Sequence, residues 1–228
     1  MREAVRFAPE RIRDLYVTSE GVQRHAEIVE PAREHGVVVH EASEDVLAAM
    51  CDADTPQGIA AVVDWTPATL ASVLAGRPRL LVLLTHVRDP GNLGTVIRGA
   101  DAAGADAVLV SDGSVDATSP KVVRSTAGSI FHLPVVTGLD VGAALAALDE
   151  AGVRRLAADG LGERTIDEVD LSVPHAWVMG NEAWGLRAGT RDACDEVVRV
   201  PIHGHAESLN LAMATTICLY ASARAMRA

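Results

Sequence analysis

"LLVLLTHVRDPGNLGTVIRGADAAGADAVLV", residues 80–110, decides how the rest of the chain is read. It opens on an apolar run, LLVLL, with no alternation, the pattern of a strand buried on both faces of a sheet. A turn carrying Asp89, Pro90 and Gly91 follows, then a segment of helical spacing from Asn92 to Gly104, then a second apolar run, AVLV. Strand, turn, helix and strand make the repeating unit of parallel nucleotide-binding sheets. Yet the turn holds neither G-x-G-x-x-G nor G-K-[ST], so the two common ways of cradling a phosphate are excluded there.

Outward from this unit the alternation continues. A helix over Pro120–Ser129, the strand LPVV, the helix VGAALAALDEAG, the strands VRRLAAD, AWVMG and EVVRV, and a final helix from Ser208 predict an α/β domain over residues 80–228. Its sheet is expected to be parallel and covered on both faces, with ligands beyond the carboxyl ends of the strands. Residues 65–79 read as a linker helix opened at Thr66-Pro67 and stopped at Gly76. Residues 1–64 read as a small α/β unit, with helical charge pairing in GVQRHAEIVEPAREHG despite Pro31. VVVH is its first strand, SEDVLAAMCDAD a helix capped by Ser43, and GIAAVVDW its last strand.

Composition narrows the function. A net charge of −11 argues against indiscriminate nucleic-acid binding, which needs Lys and Arg on phosphate, but leaves room for a local basic site. Lys121 is the single lysine among 20 basic residues, so recognition by planar guanidinium forks is favoured. Residues 1–64 hold 6 Arg against 13 acids, which puts most of the acid excess in the small unit. No run approaches the roughly 18 apolar residues of a membrane span, and MREAVRFAPERIRD is too charged for a signal peptide. The expected address is the cytoplasm. Cys51, Cys194 and Cys218 form no C-x-x-C pair and are expected to be buried small hydrophobes. His203 and His205 share a loop without a third convergent ligand, so no metal is expected.

Three stretches at strand ends carry the candidate chemistry. In NLGTVIRGADAAG, six residues separate Asn92 from Arg98, close to a helical repeat of seven, so both can approach one pocket; alone, Asn92 reads equally as a helix cap and Arg98 as a surface charge. In VMGNEAWGL a buried strand ends at Gly180, followed by Asn181, Glu182 and Gly185. In VPIHGHAESLNLAMATTICLYASARA a strand ends at Pro201 and SLN opens a helix that Ser208 could simply cap.

Taken together, in this order, the stretches resemble the motif set of the SpoU (TrmH-like) family of SPOUT RNA methyltransferases. Asn92, Arg98, Ala100, Ala102 and Gly104 match its first motif. Gly180, Glu182, Gly185 and Leu186 match the second, and Pro201, Gly204, Ser208, Leu209 and Asn210 the third. SPKVVRSTAGSIFHLPVV is similar to the segment between the first two motifs, and the resemblance spans about residues 80–226.

The resemblance implies a parallel sheet whose C-terminal part is threaded into a trefoil knot, contrary to the usual topology rule. It implies S-adenosylmethionine bound at Met179, Gly180, Val200, Ile202 and Leu209, and methyl transfer to a ribose 2′-OH without a metal. Asn92, Arg98, Glu182, Ser208 and Asn210 are expected around the reacting ribose, and Lys121 and Arg124 on RNA. Ribosomal RNA is the expected substrate and a homodimer the expected assembly. The small unit is similar to the substrate-binding domain that precedes many members, TPQGIAAVV matching its closing strand, but it looks N-terminally incomplete. Alternatives are a transfer-RNA methyltransferase, an RNA-binding module without catalysis, and a nicotinamide-dependent oxidoreductase, the last lacking both the glycine pattern and a ribose-binding acid.

Overall fold

A computed structural model describes residues 1–51 and 57–227. The chain divides between Thr66 and Pro67 into two compact units. The first contains helix α1 (Arg2–Phe7), strand β1 (Ile12–Val17), helices α2 (Ser19–Arg24) and α3 (Ala26–Glu34), β2 (Val38–Glu41), α4 (Glu44–Met50) and β3 (Ile59–Val63). Its sheet has the order β2-β1-β3, with β2 parallel and β3 antiparallel to β1. The central strand β1 is not visible as a strand in the sequence because Arg13 and Asp14 interrupt its buried residues Ile12, Leu15 and Val17. The single helix expected around Pro31 is two helices, broken at His25. Ser43 caps α4 as expected, accepting from the Val46 N–H, whereas Asp52, Asp54 and the Thr55-Pro56 of the closing segment lie outside the described residues.

The second unit opens with α5 (Leu70–Ala75). Thr69 caps it, so the helix starts three residues after the expected Thr66-Pro67. There follow β4 (Leu80–Leu84), α6 (Pro90–Ala103), β5 (Ala107–Ser111), α7 (Pro120–Ser125), β6 (Val135–Leu139), α8 (Val141–Glu150), β7 (Arg154–Ala158), β8 (Arg164–Thr165), β9 (His175–Met179), α9 (Ala188–Asp192), β10 (Glu196–Arg199) and α10 (Leu211–Ala225). The sheet is parallel throughout, in the order β6-β5-β4-β9-β7-β10-β8. Every residue of β4, β5 and β9 is buried, which is why those runs do not alternate.

The strand order positions the site. Although β9 comes late in the chain, it pairs with β4, and Leu84 lies opposite Met179, so the loops leaving both strands begin side by side. Helix α6 packs between α7 and α10, and its glycines permit the approach. A Cβ on Gly94 would stand 2.5 Å from the Ser125 Cβ and 2.6 Å from the Val122 carbonyl. Helix α6 itself begins at Pro90 with Asp89 as its cap, and Gly104 ends it in the left-handed conformation at φ 77°. Helix α7 stops at Ser125, short of the expected Ser129, and a 3₁₀ turn covers Ser129–Phe131.

Beneath α10 lies a buried polar centre. The Trp177 Nε1–H donates to the Ser222 Oγ (2.8 Å), and the His175 Nε2 is 2.7 Å from the same oxygen. The His175 Nδ1 lies 2.8 Å from the Val173 carbonyl, which can only accept, so Nδ1 carries the proton. In the neutral ring Nε2 is then the acceptor and the Ser222 hydroxyl donates to it. Burial pushes the His175 pKa below its ordinary value of 6.5, consistent with a neutral ring. Of the cysteines only Cys218 is buried; Cys51 and Cys194 are partly exposed, a correction to the expectation for all three.

Candidate active site

The carboxyl ends of β4 and β9 are locked together before the site begins. The N–H and Oγ1 of Thr85 both donate to the Met179 carbonyl, at 2.9 and 2.8 Å. His86 then takes a left-handed φ of 56°, and its carbonyl accepts from the Asn181 side chain at 2.6 Å. A non-glycine residue in that region is worth about 1–3 kcal/mol of strain, which the Asn181 bond helps to hold.

Beyond β9 the chain folds into a closed turn. Asn181 and Gly185 exchange main-chain hydrogen bonds of 3.0 and 2.9 Å, the Asn181 Oδ1 accepts from the Ala183 N–H, and Gly185 has φ 66°. Gly180 has no alternative: a Cβ there would lie 2.2 Å from the Gly185 carbonyl carbon and 2.4 Å from the Leu186 nitrogen. The turn points Glu182 at the start of α6. Its carboxylate accepts from the Arg88 N–H (3.2 Å), the Asp89 N–H (3.2 Å) and the Asn92 Nδ2 (3.1 Å).

The third stretch completes the arrangement. The Asn210 Nδ2 donates to the Asn92 Oδ1 at 2.9 Å, while the Asn210 Oδ1 caps α10 by accepting from Ala212 and Met213. Asn210, Asn92 and Glu182 therefore form one hydrogen-bonded chain across 118 residues of sequence. Burial acts to raise the Glu182 pKa, but donors from its own backbone, Asn92, Arg88 and Asp89 outweigh it and hold the carboxyl below its usual range. Glu182 is thus an anionic acceptor, poorly suited to giving or taking a proton near neutrality.

The other expected residues stand apart from this chain. Arg98 is exposed and has no hydrogen-bond or ion-pair partner among the described residues. Six residues along an α-helix carry a side chain about 120° round the axis, so the Asn92–Arg98 spacing does not put both on one face. Ser208 is exposed, makes no hydrogen bond among the described residues, and does not cap the final helix, which begins at Leu211 with Asn210 as its cap. Asn92 is likewise not the cap of α6, because the Asp89 carboxylate takes the Asn92 N–H at 2.7 Å. The sequence alone assigned no role to Asp89 or Asn181, although both lie in the quoted stretches. The Asp-Pro pair before a helix was the available signal for the first, and an asparagine just after a strand-ending glycine for the second.

Among the expected cofactor residues, Met179 and Gly180 are buried, Val200 and Leu209 are half-buried, and Ile202 is 39% exposed. No hydrogen bond among the described residues engages the main chain of residues 201–209. Lys121 and Arg124 are exposed on α7 and have no ion-pair partner among the described residues. The arginines of the small unit differ: Arg2, Arg11, Arg13, Arg24 and Arg33 each pair with a carboxylate, and Arg6 lies over the Phe7 ring. Among the described residues no group of His, Cys, Asp and Glu could hold a metal ion, and no helix is long and apolar enough to cross a membrane.

The fold and site define an α/β protein with a parallel sheet and a polar site built where neighbouring strands end. The chain belongs to the SpoU rRNA methylase family, whose model matches residues 79–220; a second model, RNA 2′-O ribose methyltransferase substrate binding, matches residues 2–65. A Bacillus subtilis relative, 23S rRNA (guanosine(2553)-2′-O)-methyltransferase RlmP, is 39% identical over 82% of this chain and 73% of its own. The 23S rRNA (guanosine-2′-O-)-methyltransferase RlmB of Bordetella pertussis is 34% identical over 96% of this chain and 92% of its own. In structure, the chain is similar to the SpoU methyltransferase AviRb of Streptomyces viridochromogenes in complex with AdoMet. The TM-score is 0.85 at 29% identity, over 98% of this chain and 88% of that one. An AdoMet-bound rRNA methyltransferase from Sinorhizobium meliloti gives a TM-score of 0.80 at 30% identity, over 94% and 80% of the two chains.

Proposed function

We propose that this protein transfers a methyl group from S-adenosylmethionine to a ribose 2′-hydroxyl of ribosomal RNA. The observation that carries the reading is the Asn210–Asn92–Glu182 chain, which ties the three motif stretches to one place at the carboxyl edge of the sheet. The relatives named for 23S rRNA support the choice of substrate and a cytoplasmic setting.

The residues present suit the cofactor. The main chain of residues 201–209 has unengaged N–H and C=O groups to offer a nucleoside, and the exposed Ile202 offers an apolar face. Met179 enters only through its position beside Gly180, because its carbonyl is already taken by Thr85. When bound, the sulfonium compound supplies an electrophilic methyl group.

The protein's own tasks are to hold the ribose oxygen in line and to handle one proton. Arg98, with an uncommitted guanidinium, grips the RNA phosphate and stabilises the alkoxide as the 2′-oxygen is alkylated. A guanidinium scarcely deprotonates, so Arg98 is a charged clamp, and the hydroxyl proton leaves to water. Asn210 and Ser208 orient the ribose hydroxyl, Asn92 and Glu182 fix Asn210 and the turn, and Lys121 and Arg124 hold RNA further out. The trefoil knot belongs to the same reading, with residues 201–210 as the threaded segment, and so does a homodimer formed through α10. The small unit is the substrate-binding domain.

The test is incubation of the protein with a labelled methyl donor and separate 23S, 16S and transfer RNA, followed by mapping of 2′-O-methyl sites. Label on a 23S ribose is expected. Label on transfer RNA alone, or on a base, would overturn the substrate or the reaction.

A further inference from the structure

Trp184 stands in the turn between Asn181 and Gly185 with 49% of its surface exposed. The chain has only seven Phe, Trp and Tyr residues in all, and Trp177 is wholly buried, so an indole left in water here asks for a reason. The fold does not supply one. Among the described residues the ring makes no aromatic, cation–π or hydrogen-bond contact, and the turn is closed by the Asn181–Gly185 bonds without it.

The base under the ring is fixed. Asn181 is held to His86, Ala183 to Asn181, and Glu182 to Arg88, Asp89 and Asn92, so the ring is presented on a rigid support two residues from the carboxylate that joins the motifs. Two exposed arginines border this support. The Arg88 N–H binds Glu182, and Arg187 follows Gly185 by two residues; neither guanidinium has a partner among the described residues. An open aromatic face beside uncommitted guanidinium forks is the combination that holds an unpaired nucleic-acid strand, the ring taking a base and the forks the phosphates.

We propose that Trp184 is a stacking platform for a nucleobase of the substrate RNA strand, with Arg88 and Arg187 on the neighbouring phosphates. The proposal rests on the RNA-methyltransferase reading. Stacking accepts any base, so the platform positions the strand for the clamp at Arg98 and does not choose the base.

Binding of a 23S rRNA transcript and single-turnover methyl transfer, measured for wild type, Trp184→Ala and Trp184→Phe alongside calorimetry of the cofactor, tests it. Trp184→Ala is expected to weaken RNA binding about 5- to 150-fold, the range of one base–aromatic stack, with unchanged cofactor affinity and a largely preserved rate at saturating RNA. Trp184→Phe should recover most of the loss, and indole emission should be quenched by RNA in wild type only. Native RNA affinity in Trp184→Ala, an equal loss of cofactor binding, or no RNA binding by the wild type would each overturn the platform. RNA bound through Trp184 without methyl transfer to any ribose would leave the platform standing and overturn the reading of the reaction.

Discussion

Arg98 has no partner among the described residues, unlike Asn92, Glu182 and Asn210, which are bonded to one another. A fork held in an internal ion pair would have to be freed before gripping a phosphate, whereas this one is already free. Arg98→Lys keeps the charge and loses the bidentate geometry, so methyl transfer should fall but persist; Arg98→Ala should lower the single-turnover rate about a hundredfold or more, with cofactor affinity little changed. Retention of near-native transfer by the alanine variant would remove Arg98 from the mechanism. Asn210 and Ser208 separate in a different measurement. Asn210 caps α10 and Ser208 does not, so Asn210→Ala should cost about 1 kcal/mol in denaturant unfolding while Ser208→Ala leaves stability alone. From sequence, Asn92, Glu182 and Asn210 were legible as members of a motif set, but their mutual bonding was not. That bonding depends on β9 lying beside β4, which no local pattern specifies.

At the scale of elements, the strands and helices that the sequence made plain are those whose burial is uniform. β4, β5 and β9 are buried throughout, apolar but for Ser111 and His175 at their ends, and read directly, whereas β1 carries Arg13 and Asp14, and β8 has only two residues. Helix ends were misplaced wherever a side-chain cap outcompeted a proline or serine signal, as with Thr69 over Thr66-Pro67 and Asn210 over Ser208. The seam between β9 and α10 gives a pH prediction. Burial lowers the pKa of His175 in the folded protein, so as pH falls the unfolded chain takes up the proton first. Its contribution to stability is full above about pH 6.5 and is lost as pH drops below that value towards the folded pKa. Between pH 7.5 and 5.5 the urea midpoint of the wild type should therefore fall more steeply than that of His175→Gln, and parallel curves would contradict the assignment.

For the whole molecule, the division of cations is informative. The arginines of the small unit are all engaged by carboxylates or by Phe7, while those bordering the candidate site are free, so RNA attraction is concentrated on the larger unit. Exposed pairs of that kind are weak, and an approaching phosphate can exchange with them. Assembly is read from α10, where Met213, Ile217 and Tyr220 are 59%, 38% and 50% exposed on one helix. Apolar side chains so placed favour a second copy, and light scattering at micromolar concentration should return a dimer mass that Met213→Glu or Tyr220→Glu reduces to that of a monomer. A monomeric wild type would contradict the pairing. The Trp177–Ser222 bond also sets a schedule for synthesis. Ser222 leaves the ribosome 45 residues after Trp177, which at about 5–20 residues per second is a wait of roughly 2–9 s. During that interval the central strand has an indole with no acceptor and an apolar flank with no cover. The nascent chain should therefore be most dependent on chaperones, and most easily cut by protease, just before α10 emerges.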